Sequence, residues 1–319
     1  MAPKCSNPEC VASISCHEGH DKVTDCPFYE KVDDNKSIGK ASKKVAVKSS
    51  LPWNGEALTI DELEKVTYRN SPIIIGVVGK ADAGKTTYLA MLFTLFLKGG
   101  KLKDFSFAGT KTIYAWDRLY KTLQVQQDGV EFPDPTPSQY IRFLHLALRG
   151  SSNRLKDVLI SDIAGEVFSF WATNRNDSNA ENARWIYENS NAFILFIDCE
   201  DLIKRKAQAK NDILDMAQML KHDLRDRPVV AVWSKSDRKS EVHPIILQKV
   251  QEELSEMFID LVEIDISNFS NDDPDILVHT NNMVVLDSLL SKIFVPVGAD
   301  IPIEDLHEIK DTFLNFKRL

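Results

Sequence analysis

Ile73-Ile74-Ile75-Gly76-Val77-Val78 runs directly into Gly79-Lys80-Ala81-Asp82-Ala83-Gly84-Lys85-Thr86, and Thr87-Tyr88-Leu89-Ala90-Met91-Leu92-Phe93 follows. The first run is short, apolar and β-branched, the pattern of a buried strand. The last extends to Leu97 and is stopped by Gly99-Gly100, which predicts a helix over 86–97. Between them the spacing G-x-x-x-x-G-K-[ST] predicts a loop that cradles phosphate. Its glycines let the backbone wrap close to phosphate oxygens, and the helix N-terminus adds donors and a partial positive charge. Gly79, Lys80, Ala81, Asp82, Ala83, Gly84, Lys85, Thr86 and Thr87 are the candidate phosphate-binding residues, with Lys85 reaching the terminal phosphates and the Thr86 hydroxyl binding Mg2+. A chance match on a tight turn is the alternative, and it leaves the flanking strand and helix unexplained.

Outward from this stretch, strand-like and helix-like segments alternate. Gln139 to Leu148, Val158 to Ile160, Ala192 to Ile197, Pro228 to Trp233 and Leu261 to Ile266 read as strands, and Leu202 to Leu224 and Ile245 to Phe258 as helices. The order implies an α/β fold, a mostly parallel sheet with helices on both faces, over residues 72–295. Residues 101–136 form an insertion, helical over Thr110 to Gln127. Before it, residues 51–71 supply a turn and a short helix opened by the capping box Thr59-Ile60-Asp61-Glu62. The length of 319 residues and the 43% hydrophobic content suffice for a sizeable core.

Two further loops sit where strands end. Asp162-Ile163-Ala164-Gly165 follows the strand at 158–160 and offers a carboxylate for magnesium and the Gly165 amide for a terminal phosphate. Ser234-Lys235-Ser236-Asp237 follows the strand ending at Trp233. Guanine presents two adjacent donors, N1–H and the 2-amino group, which one carboxylate accepts together. Adenine presents an acceptor at N1 and would leave the carboxylate unpaired, at about 1–3 kcal/mol or more. Asp237 is thus the candidate base reader, with the Lys235 stem across the loop and base.

GKADAGKT, DIAG and SKSD, in this order, resemble the guanine-nucleotide-binding domain of the Ras-like and translation-factor class of P-loop GTPases. The resemblance implies GTP/GDP as ligand with Mg2+, a threonine before the second strand completing the magnesium shell, and a base-edge contact after the last strand. Here these fall on Thr136, with Thr110 and Thr112 in reserve, and on Ser267. Three positions depart from the pattern. Ser234 stands where asparagine is usual, Ala81 where compact Ras-like domains keep glycine, and Glu166 where a glutamine orients the attacking water. A carboxylate beside a terminal phosphate is repelled, so unaided hydrolysis is expected to be slow and an arginine from a partner valuable. Arg175 and Arg184 are the candidates for such a group within the chain, with exposed surface arginines the plainer reading. The whole-chain arrangement, a cysteine-rich N-terminus ahead of a GTPase-like domain with a helical insertion and an AGKTT loop, is similar to the bacterial double-GTPase proteins of multi-gene conflict systems, which implies partner proteins encoded nearby, including another GTPase and an activating protein.

Cys5, Cys10, Cys16 and Cys26 cluster in residues 1–30. Four thiolates there suit a zinc knuckle, with His17 and His20 as alternative ligands and a metal-free cysteine tail as the rival reading. Residues 31–50, with six lysines against two aspartates, read as a solvated linker. Residues 296–319 space Ile303, Leu306, Ile309, Phe313 and Phe316 as one apolar helix face, for docking on the domain or a partner. A net charge of -8 disfavours nucleic acid, and no apolar run reaches membrane-spanning length, so the expected location is the cytoplasm. Three functions compete: a partner-activated GTP-hydrolysing switch, an adaptor that binds GTP without turnover, and a small-molecule or nucleotide kinase. The kinase gives no account of SKSD and lacks an arginine-rich lid.

Overall fold

The structure, a computed structural model, describes residues 20, 25–26, 55–68, 70–122, 125–126, 129–130, 141–150, 153–267 and 275–294. The chain divides into two units, residues 1–50 and 51–319. In the first, Cys26 is buried. Cys5, Cys10, Cys16 and His17 of the expected zinc knuckle lie outside the described residues, as do the 31–50 linker, Thr136 and the 296–319 tail. Among the described residues no three His, Cys, Asp or Glu side chains gather as metal ligands, and no helix is long and apolar enough to cross a membrane.

The second unit runs β1 (Ile73–Val78), α1 (Lys85–Leu97), β2 (Phe105–Gly109), α2 (Ile113–Thr122), β3 (Val125–Gln126), β4 (Gly129–Val130), β5 (Arg142–Gly150), β6 (Leu155–Asp162), α3 (Gly165–Thr173), α4 (Glu181–Asn189), β7 (Ala192–Asp198), α5 (Cys199–Arg205), α6 (Ala207–Lys221), β8 (Val229–Ser234), α7 (Pro244–Met257), β9 (Val262–Asp265) and α8 (Asn281–Ile293). Seven strands form one sheet in the order β2-β5-β6-β1-β7-β8-β9. From β6 to β9 every pairing is parallel, whereas β5 runs antiparallel to both β6 and β2.

Strand alternation sorts the core into two layers. Leu159, Phe193, Leu195, Ile197 and Trp233 pack against α3, α4, α6 and α7. Their sequence neighbours Ile160, Ile194, Phe196 and Val232 pack against α1, α2 and α8 on the other face. Burial on both faces, complete in β7 and β8 and over the last four residues of β1, explains their continuous apolar runs. The expected α/β architecture with helices on both faces is therefore the observed one.

Three boundaries differ from the sequence reading. The insertion is helical only over α2, and its first part supplies the edge strand β2. Hydrogen bonds hold it there. Thr110 Oγ1 donates to His145 O at 2.5 Å, and Trp116 Nε1 donates to the same carbonyl at 2.9 Å. The helix read as continuous from Leu202 to Leu224 breaks at Lys206, whose φ of 51° and ψ of -118° separate α5 from α6. β6 extends beyond the apolar Val158 to Ile160 because buried polar side chains continue it: Asp157 meets His145 Nε2 at 2.9 Å, and Ser161 accepts from Val77 N at 2.9 Å.

Candidate functional site

Parallel neighbours β6, β1, β7 and β8 end on the same side of the sheet, and their following loops converge there. This is the position at which open α/β sheets bind ligands. Residues 79–84 leave β1 and enter α1 through Gly84, whose φ of 81° lies in the left-handed region that glycine adopts without strain. Lys85 is buried, and its ammonium donates to Gly79 O at 3.0 Å and Lys80 O at 2.5 Å, so the side chain lies back along the loop. Burial pushes its pKa down to about 8, against the opposing fields of Asp162, Asp82 and Asp198.

Thr86 Oγ1 donates to Asp162 Oδ1 at 3.3 Å, which joins the first turn of α1 to the last residue of β6. Asp162 is buried. A hydroxyl beside a carboxylate is a hard oxygen-donor set, the chemistry that suits Mg2+.

Gly165 begins α3 two residues beyond Ile163. A Cβ at this position would stand 2.1 Å from Ala81 N and 2.1 Å from Lys80 C. Only glycine permits that approach, so the backbone of α3's first turn lies directly against the wall of the phosphate loop. Glu166, next in the helix, is exposed. The side chain of Lys80 leaves the loop for α6 and pairs with Asp212 at 2.6 Å, and Asp212 in turn meets Arg205 at 2.9 Å. Thr87 is half-buried in the first turn of α1.

At the other end of the site, Asp237 is exposed and its Oδ1 accepts from the buried Ser267 hydroxyl at 2.7 Å. Ser236 N donates to Ile266 O at 3.0 Å, which fastens the loop after β8 to the segment after β9. Lys235 adopts φ 52° and ψ 41°, and its ammonium meets Asp198 Oδ2 at 2.8 Å and Glu200 Oε2 at 2.9 Å. Ser234 is buried and its hydroxyl donates to Ile197 O at 3.3 Å.

The structure thus gathers Lys85, Thr86, Asp162 and Gly165 at the phosphate loop and brings Ser267 onto Asp237. Thr136 lies outside the described residues. The reserves Thr110 and Thr112 are committed elsewhere. Thr110 bonds the carbonyl of His145, and Thr112 Oγ1 accepts from His145 N at 2.9 Å. Arg184 donates to Arg175 O at 2.7 Å and Asp177 O at 2.9 Å, and the Arg175 guanidinium sits 5.5 Å from the Tyr187 ring centroid. Arg184 thus braces the loop at 175–177 from α4, while Arg175 lies over a ring of α4. Asp198 and Glu200 are the site residues that the sequence reading did not include. The available signal was the end of β7, a parallel strand with a polar residue at its carboxyl edge. Cys199, between them, is buried as expected, and burial pushes its thiol up to about 12.

No curated protein matches the chain. Among solved structures it is similar to nucleolar GTP-binding protein 1 of Plasmodium falciparum, at 11% identity over 70% of this chain and 86% of that one, with a TM-score of 0.40. The family model for Double-GTPase 2 matches residues 73–292, the span from the first residue of β1 almost to the end of α8. With that match covering well over half of its length, the chain belongs to the Double-GTPase 2 family and is a P-loop GTPase.

Proposed function

We propose that this chain is a magnesium-dependent guanine-nucleotide switch that hydrolyses GTP slowly by itself and is accelerated by a protein partner. The observation that carries the reading is the apposition of Gly165 to the Lys80–Ala81 wall. A terminal phosphate held by Lys85 and the loop amides must share that space with the first turn of α3. The position of α3 then depends on which nucleotide is bound, and loss of the phosphate resets it.

Thr86 and Asp162 are the residues that would hold Mg2+, which when bound offsets the charge of the terminal phosphates. Thr136 is the proposed third contact and Ser267 sets the rotamer of Asp237, the base reader. Glu166 is exposed, carries a negative charge and is a poor orienter of an attacking water. With Arg184 bracing the 175–177 loop and Arg175 lying over the Tyr187 ring, the stabilising cation is assigned to a partner. The same facts favour one rival, an adaptor that binds GTP without turnover. The zinc knuckle at Cys5, Cys10, Cys16 and Cys26 remains part of the proposal as a docking element, with the cytoplasm as its compartment.

Single-turnover measurement on the full chain separates switch from adaptor. With GTP and Mg2+ we expect phosphate release at about 10⁻⁴ s⁻¹, rising by orders of magnitude with a partner-containing extract. A terminal phosphate intact after days in both conditions would leave the adaptor.

Lys85 adds a pH dependence. Its folded pKa of about 8 lies below the ordinary 10.5, so the nucleotide-free folded chain binds fewer protons than the unfolded chain between these values. Stability from this group therefore rises with pH across that window, and the cost of burying the charge is fully present below it. Phosphate prefers the charged form, so nucleotide binding above about pH 8 takes up a proton and affinity falls by up to about tenfold per pH unit. Titration calorimetry in buffers of different ionisation enthalpy reads this uptake. Affinity that stays level from about pH 7 to about pH 10 would contradict it.

A further inference from the structure

We propose that Asp198 and Glu200 are positioning residues of the base half of the nucleotide site, clamping the Lys235 ammonium and so setting how long a guanine nucleotide is retained. The inference rests on reading Asp237 and Lys235 as the base site. Ser234 is too short to brace this loop from within; its hydroxyl reaches only Ile197 O, at 3.3 Å. Bracing comes instead from the β7–α5 junction. Asp198 acts with both oxygens. Its Oδ1 accepts from Glu200 N at 2.9 Å and caps α5, while Oδ2 holds Lys235 at 2.8 Å. Glu200 holds the same ammonium at 2.9 Å, and its other oxygen is gripped by Lys204 at 2.7 Å and by Arg238 at 3.5 Å.

These contacts have a direction. Lys204 one turn on and Arg238 across the loop keep the Glu200 carboxylate facing Lys235. Hydrogen bonds from Lys204 and Lys235 hold the Glu200 carboxyl down at about 2, so it stays ionised throughout the physiological range. Asp198 is more deeply buried, and burial pushes its carboxyl up against the pull of Lys235. Lys235 itself sits in the left-handed region, a conformation unfavourable for a residue with a side chain, which persists only where surroundings over-determine it. Two charge-assisted bonds on its ammonium supply that constraint. A Lys235 held at both ends of its side chain keeps its stem in one place beside the base, which is the condition for slow release.

Dissociation of a fluorescent GDP from the full chain, followed by stopped flow, tests the clamp. In Glu200→Ala we expect release to accelerate about tenfold, with Glu200→Gln intermediate because its amide oxygen still accepts from the Lys235 ammonium without the ion pair. Lys235→Ala, which also removes the Asp198 bond, accelerates release at least as much, and Glu200→Ala adds nothing on the Lys235→Ala background, since the ammonium that Glu200 holds is gone. Inhibition by inorganic tripolyphosphate, which has no base, stays at the wild-type level in Glu200→Ala. Unchanged GDP release, additive effects in the double variant, or an equal loss of tripolyphosphate affinity each overturn the clamp. The reading beneath it fails differently: wild-type chain that binds ADP as well as GDP removes the base site itself, whereas failure of the clamp leaves that preference intact.

Discussion

In the Asp237→Asn chain, GDP affinity falls by about 10²- to 10⁴-fold and xanthosine diphosphate becomes the better ligand. The carboxylate accepts from both guanine donors, and two hydrogen bonds to a charged group are together worth about 3–6 kcal/mol. An amide offers one acceptor and one donor. The amide oxygen can still accept from N1–H, which turns the amino group on the guanine 2-amino group, donor to donor. The Ser267 hydroxyl, 2.7 Å from Oδ1, can donate to the amide oxygen or accept from the amino group and so permits this orientation. Xanthine carries a carbonyl at that carbon and accepts the new donor. Competition against a fluorescent nucleotide measures both ligands, and an Asp237→Asn chain that holds GDP as tightly as wild type would remove Asp237 from the base site.

Gly165→Ala is expected to lower single-turnover hydrolysis by about 10²-fold while GDP affinity stays within about threefold of wild type, the loss typical of removing one donor to a developing charge. A methyl group 2.1 Å from Ala81 N and Lys80 C runs into the planar Lys80–Ala81 peptide, which, unlike a side chain, cannot rotate away. The first turn of α3 must retreat, which carries the Gly165 amide out of reach of a terminal phosphate. Denaturant unfolding of the nucleotide-free chain should show a loss of about 1–3 kcal/mol, the usual cost of overpacking. GDP ends one phosphate short and does not need that amide, so its binding reports whether the rest of the loop survives. Hydrolysis within twofold of wild type would mean that α3 does not respond to the terminal phosphate.

The strand, phosphate loop and helix from Ile73 to Leu97 were legible because each is specified locally, by apolar run, glycine spacing and helical length. The central strands β7 and β8 were legible for the same reason, being apolar up to a single polar residue at the carboxyl end of each. β6 showed only its apolar middle, since Asp157 and Ser161 are buried by virtue of partners far away in sequence. The break at Lys206 carries no glycine or proline to announce it, and so α5 and α6 read as one helix. β2 was hidden because an edge strand of mixed polarity owes its pairing to β5 rather than to its own pattern. In the site, Lys85, Thr86, Asp162 and Asp237 follow from motif spacing. The gripping of Lys235 by Asp198 and Glu200 spans more than thirty residues and two loops, a tertiary fact that no local spacing encodes.

The added strand β2 has a consequence for how the domain is recognised. It covers Ala147 to Gly150 of β5, while Leu58 pairs with Phe143 and Thr110, Thr112 and Trp116 take the backbone groups of His145, so a visiting extended peptide cannot zip onto that longer strand. What it meets is β2 itself, Phe105 to Gly109, with a register shift between Phe107 and Gly109 that interrupts the ladder. At the far rim stands β9, only Val262 to Asp265. Short and kinked rims resist strand-by-strand zippering, including unwanted zippering between copies of the chain. A protein that reads the nucleotide state of the proposed switch would have to grasp helices and loops.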